Sequence, residues 1–108
     1  MSIDSIKRQI EGYKRDIDRE KSRITDYKDD MTKIRIQKSR DSDHYSRRLK
    51  SSTSTANKHS IRAQKKRDWE RYTRELNRER DKITRSREKI KEIREKIKRC
   101  RERIKRLR

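Results

Sequence analysis

The chain of 108 residues contains no proline, no phenylalanine, one glycine and one cysteine. A single cysteine excludes an internal disulfide framework. Only 24% of the residues are apolar, about half the usual share of a globular domain, which is too little for a layered α/β or β-sandwich core. No apolar run of about 18 residues and no signal-peptide pattern occurs, so we expect no membrane span, no secretory signal and an intracellular location, in the cytoplasm or with the nucleoid or nucleus.

Positive charge dominates, because the chain has 38 Lys and Arg but only 19 Asp and Glu, and the formal net charge is +19. Low hydrophobicity with high net charge is typical of disordered chains. Disordered tails, however, are usually rich in the proline and glycine that this chain lacks. The spacing of the few apolar residues therefore decides the fold class.

Two heptad seams are present. The first runs from Ile3 to Ile34 with apolar residues at steps of three, four or seven, the spacing that joins helices into coiled coils. The second runs from Trp69 to Leu107. Between them, residues 51–60 are mostly Ser, Thr and Asn, which favour turns and helix caps over helix interiors.

These patterns predict an all-α fold, a long antiparallel two-helix coiled-coil hairpin forming a single domain. We expect helix 1 over about 3–50, a turn over about 51–57 and helix 2 over about 58–107. The pairing places Asp41 near Trp69 and Ile3 opposite Leu107. Because two helices bury only one face each, we expect a homo-oligomer or a partner protein to complete a bundle.

The e positions of both helices, which flank the same edge of an antiparallel pair, are all basic in two runs of five heptads. We call this set the e-row edge, and it consists of Lys7, Lys14, Lys21, Lys28, Arg35, Arg80, Arg87, Arg94, Arg101 and Arg108. Ordinary coiled coils place opposite charges there. On the other edge, Asp16 and Asp30 are placed to pair with Lys96 and Lys82.

The e-row edge indicates a non-enzymatic module that binds a polyanion. Its ten cations predict binding of nucleic acid through phosphates. The alternative is a structural or accessory protein whose cations contact acidic helices of a larger partner, and Lys and Arg stems also commonly shield a coiled-coil seam. The acids of helix 2 lie on its outermost row, at Asp81, Glu88, Glu95 and Glu102, where they support the helix through neighbours three and four residues away.

Trp69 and Tyr72 lie among basic residues and are candidates for an aromatic contact with a ligand. Their a and d positions favour packing between the helices. We expect no metal site and no cofactor, although Asp41, Asp43 and His44 lie close together in the chain. Without a glycine-rich loop, or a histidine beside a placed nucleophile, no catalytic residue is predicted.

A chain of this length that folds as two long helices, with a short polar turn followed by an aromatic residue, resembles the WXG100-like and YwqH-like hairpins of type VII secretion. That resemblance implies an accessory role beside a larger exported protein. It covers most of the chain but rests on architecture. The Trp-x-Gly turn is missing, since Trp69 is followed by Glu70 and Arg71, and Tyr72 lies one residue out of register for the export signal.

Overall fold

The computed structural model describes residues 2–108 and contains two helices, α1 (Ile3–Ser51) and α2 (Thr55–Leu107). This confirms the predicted all-α helical hairpin. The connection spans residues 52–54 only, whereas the sequence led us to expect a turn over about 51–57. Helix α2 begins earlier because Ser54 caps it.

Serine hydroxyls cap both helices at their N-termini. The Ser54 hydroxyl accepts a hydrogen bond from the Asn57 N–H at 3.3 Å, and the Ser2 hydroxyl accepts one from the Ser5 N–H at 3.1 Å. Each bond satisfies a backbone donor that has no partner inside its helix. At the C-terminus of α1, the Arg48 carbonyl accepts hydrogen bonds from the Ser52 N–H at 3.1 Å and from the Ser51 hydroxyl at 3.2 Å.

The contacts divide the helices into two compact units. Unit 1 pairs the chain up to Tyr27 with Asp81–Arg108, and unit 2 is the segment Lys28–Arg80. The core of unit 1 is a ladder of buried residues from both helices, namely Ile6, Ile10, Ile17, Ile90, Ile97, Cys100 and Ile104. Leu107 is 53% exposed, so the prediction that the seam continues to Leu107 is wrong, and its buried part ends at Ile104.

Unit 2 has a sparser core, in which Met31, Tyr45, Ile61 and Tyr72 are buried. The burial of Ile61 does not follow from the heptad assignment, because counting back from Trp69 gives it a flanking g position. Aromatic rings therefore replace isoleucine as the main packing element of this unit.

The contacts in both units run antiparallel. In unit 1 Lys96 lies over the ring of Tyr13, one residue from the predicted opposite residue. In unit 2 the Tyr72 hydroxyl bonds to Asp41, although Asp41 was expected near Trp69. Both observations fit the same register, because a helical side chain points toward the N-terminus of its helix and the Tyr72 hydroxyl reaches back about one turn.

Within residues 2–108, neither helix has an apolar stretch long enough to cross a membrane. Completion of the hairpin by further helices stays a prediction.

Candidate functional site

All ten cations of the e-row edge are exposed. Unit 1 carries seven of them and unit 2 carries Lys28, Arg35 and Arg80. The heptad repeat produces this arrangement, because residues seven apart follow one line along the helix about 10.5 Å from each other. The structure thus leaves the predicted binding residues accessible to a ligand.

The two helices surround these cations differently. Lys7, Lys14 and Lys21 each have an acid three or four residues away on α1, at Asp4, Glu11 or Asp18. One such pair is formed, since the Lys14 ammonium lies 3.3 Å from the Glu11 carboxylate. The heptad assignment did not predict that acids on α1 partly neutralise these lysines.

On α2, no acid lies three or four residues from Arg87, Arg94 or Arg101. Their neighbours at those steps are lysines, seam residues and Thr84. Residues 87–108 form a line of exposed cations at alternating steps of four and three. We call it the α2 stripe, and it consists of Arg87, Lys91, Arg94, Lys98, Arg101, Lys105 and Arg108. Rows b and e are adjacent on the helix surface, so the stripe occupies a single side of α2. The outer acids Glu88, Glu95 and Glu102 lie three or four residues from its lysines. Each directly follows an arginine in the chain, but residues one apart do not face each other on a helix.

The opposite edge of unit 1 is occupied by the protein's own contacts. Lys96 and Lys82 lie 5.9 Å and 5.6 Å from the ring centroids of Tyr13 and Tyr27. Lys96 thus covers a tyrosine ring where an ion pair with Asp16 had been predicted, while the pairing of Asp30 with Lys82 stays a prediction. Asp16 lies 3.4 Å from Arg19 on its own helix. This edge therefore carries both signs of charge, and two of its lysines, Lys82 and Lys96, lie over aromatic rings.

A groove of about 340 Å³ lies on this mixed edge, between Tyr13 and Lys96. Glu20 lines it and is buried at a d position of the seam. Its Oε1 accepts a hydrogen bond from the Arg23 guanidinium at 2.5 Å, while its buried Oε2 has no hydrogen-bond partner. The charges around the groove alternate in sign, which does not favour a polyanion there.

Trp69 and Tyr72 lie in an aromatic cluster between the helices of unit 2. Tyr45 packs against Trp69 with ring centroids 6.4 Å apart, and Tyr72 packs on Trp69 at 6.0 Å. The ammonium groups of Lys38 and Lys65 lie 5.4 Å and 5.2 Å from the Trp69 ring. The indole is thus surrounded by the protein's own groups.

No protein-family model matches the chain. No curated protein and no solved structure shows significant similarity to it. The resemblance to the WXG100-like and YwqH-like hairpins therefore extends to the two-helix architecture, which the structure contains, and no match supports membership of that family.

Two reciprocal hydrogen bonds cross the cluster. The Tyr45 hydroxyl donates to Asp68, and the Tyr72 hydroxyl donates to Asp41. The bond to Asp68, helped by burial, raises the pKa of Tyr45 from 10.0 to about 12. Burial and the bond to Asp41 raise the pKa of Tyr72. Both phenols are thus held in the neutral, donating form.

Replacement of Tyr45 by phenylalanine is expected to lower the free energy of unfolding by about 1–3 kcal/mol at pH 8, because Asp68 loses its buried donor. A raised pKa in the folded state stabilises the protein below pH 10, and that contribution disappears as the pH rises through about 12. Urea unfolding at pH 8 and pH 11 should show the difference between the wild type and Tyr45→Phe shrinking at the higher pH.

The control for this measurement is Tyr27→Phe, which removes a hydroxyl outside the two tyrosine–aspartate pairs. We expect it to lower stability less at pH 8. Equal losses in the two variants would show that the Tyr45–Asp68 bond contributes nothing specific.

Proposed function

We propose that the protein binds nucleic acid through the phosphate backbone, using the e-row edge. The observation that carries this proposal is the exposure of all ten e-row cations. The contrast between the two edges of unit 1 supports it, because the other edge carries acids and has lysines engaged over Tyr13 and Tyr27.

Phosphate binding by such an edge follows from counterion release. Each cation that neutralises a phosphate frees a condensed counterion, and this entropy gain is independent of base sequence. The cations of each row recur about every 10.5 Å, so several can contact one backbone. We therefore expect affinity without marked base specificity.

The proposal is tested by fluorescence anisotropy with a labelled mixed-sequence duplex of 30 base pairs at low salt. In the test variant, Arg87, Arg94 and Arg101 are each replaced by Glu, which should weaken binding by about 10³-fold, since three phosphate contacts are lost and repulsion is added. The matched control replaces Arg85, Arg99 and Arg106 by Glu. These exposed arginines lie on the opposite side of the same helix, in row c.

The control changes the net charge by the same amount, so it measures the long-range part of the effect. We expect it to weaken binding by no more than about tenfold. Absence of binding by the wild-type protein, or equal losses in the two triple variants, would reject the e-row edge as a nucleic-acid site.

A second candidate is an accessory helical protein of the type VII secretion kind, and the two-helix hairpin is the observation that favours it. In that case acidic rows of a larger helical protein would cover the same cations and complete a bundle. A co-encoded helical protein with Asp or Glu at its own e or g positions would be the partner to test. Its co-purification should then be abolished by the triple change at Arg87, Arg94 and Arg101, while duplex binding by the wild type is absent.

A further inference from the structure

We infer that the ligand is double-stranded nucleic acid and that its phosphates lie along the α2 stripe. This inference rests on the proposed function and narrows it in two ways. It assigns the contact to one side of α2 within unit 1, and it excludes single strands as the preferred ligand.

The position follows from the surroundings of the cations. Arg87, Arg94 and Arg101 have no acid three or four residues away, so their charge is not offset along the helix. Their partners across the edge, Lys7, Lys14 and Lys21, each have at least one such acid, and Lys14 is already paired with Glu11 at 3.3 Å. A phosphate that binds those lysines displaces or faces a carboxylate, whereas a phosphate on the arginines does not.

The double-stranded form follows from the aromatic residues. Proteins that bind single strands combine cations with aromatic rings on which bases stack. The chain has five Trp and Tyr residues. Tyr45 and Tyr72 are buried, the other three are half-buried, and all five have ring contacts with neighbouring side chains. The α2 stripe itself contains only Lys and Arg. The site therefore offers charge without a stacking surface.

The dimensions agree with a duplex. The stripe spans 22 residues from Arg87 to Arg108, or about 31 Å of helix. Over that length a B-form duplex has about 18 phosphates, twice as many as a single strand with the same rise per nucleotide. More phosphates per cation and a rigid backbone favour the duplex where electrostatics alone drives binding.

The location is tested with two triple variants of the full chain that remove three charges each from unit 1. One replaces Arg87, Arg94 and Arg101 by Gln, and the other replaces Lys7, Lys14 and Lys21 by Gln. At about 0.1 M salt the arginine variant should bind the 30-base-pair duplex about 10²- to 10³-fold more weakly, with a log–log salt slope smaller by about 3. The lysine variant should lose less than about tenfold.

Two further measurements separate charge from folding. Circular dichroism must show both variants to be as helical as the wild type. In a third variant, Arg87, Arg94 and Arg101 are replaced by Lys, which keeps the charges. It should bind within about threefold of the wild type, because these phosphate contacts depend on the positive charge and not on the planar guanidinium group. A loss as large as that of the glutamine variant would overturn the mechanism.

The strand preference is tested with a 30-nucleotide single strand of the same sequence. We expect it to bind at least about tenfold more weakly than the duplex at equal salt. Trp69 is the sole tryptophan, so its fluorescence reports base stacking, and saturation with the single strand should leave it unquenched.

The outcomes distinguish this inference from the proposed function. If the wild type binds neither duplex nor single strand, the proposed function fails and the inference fails with it. If both bind but the single strand binds as tightly or quenches Trp69, nucleic-acid binding stands and the duplex preference is wrong. If the lysine variant loses as much affinity as the arginine variant, binding stands and the location on α2 is wrong.

Discussion

Raising the monovalent salt concentration from about 50 to about 200 mM is expected to weaken duplex binding by about 150- to 6,000-fold. The range follows from four to seven neutralised phosphates, each of which contributes about −0.9 to the log–log slope. The seven cations of the α2 stripe set the upper value. Fluorescence anisotropy at four or more salt concentrations measures the slope directly.

Salt also screens repulsion among the protein's own cations, and this contribution has to be separated from counterion release. Circular dichroism of the free protein over the same salt range provides the control, and its helical signal should stay constant. A slope shallower than about −2 would mean that fewer than three phosphates are contacted, which is incompatible with a contact along the length of the stripe.

Replacing Ile6 by alanine should lower the free energy of unfolding by about 2–5 kcal/mol, or the melting temperature by about 10–30 °C. Ile6 is the most deeply buried large side chain, with 0% exposure, and packs within the isoleucine ladder of unit 1. Because only two helices surround Ile6, few side chains lie near enough to move into the cavity that the substitution leaves. Urea unfolding followed by circular dichroism measures the loss.

Ile36→Ala is the matched control, because it makes the same substitution on the same helix at a side chain that is 47% exposed. We expect a change of no more than about 0.5 kcal/mol. Similar losses at the two positions would indicate that the seam of unit 1 does not hold the helices together in solution.

The spacing of the isoleucines was sufficient to predict the all-α hairpin, because a heptad repeat can bury its apolar residues only between helices. The start of α2 at Thr55 was predicted less accurately. Ser51, Ser52 and Ser54 are all suitable N-cap residues, and only the folded structure shows which one caps the helix. The exposed end of the seam at Leu107 was also missed. A residue in the last turn of α2 has the correct spacing but too little of α1 beside it.

For the candidate site, the row assignment predicted which cations share an edge. The structure leaves all ten exposed, and their role in binding stays a prediction. The rings of Tyr13 and Tyr27 were assigned to the seam, and their attraction for Lys96 and Lys82 was overlooked because a heptad diagram shows positions and not the reach of side chains. The pairing of Tyr45 with Asp68 likewise depends on how far a phenol extends along its helix.

The two tyrosine–aspartate bonds have a consequence for the uniqueness of the fold. The buried isoleucines of unit 1 repeat every seven residues, as at Ile90, Ile97 and Ile104, so apolar packing alone would tolerate a slide by one heptad. In unit 2 a slide in one direction would bring Glu79 to Asp41, and in the other it would bring Ile61 to the Tyr45 hydroxyl. Each slipped alignment leaves one of the two pairs unmatched, so the aromatic cluster favours one register over others that purely aliphatic packing would tolerate.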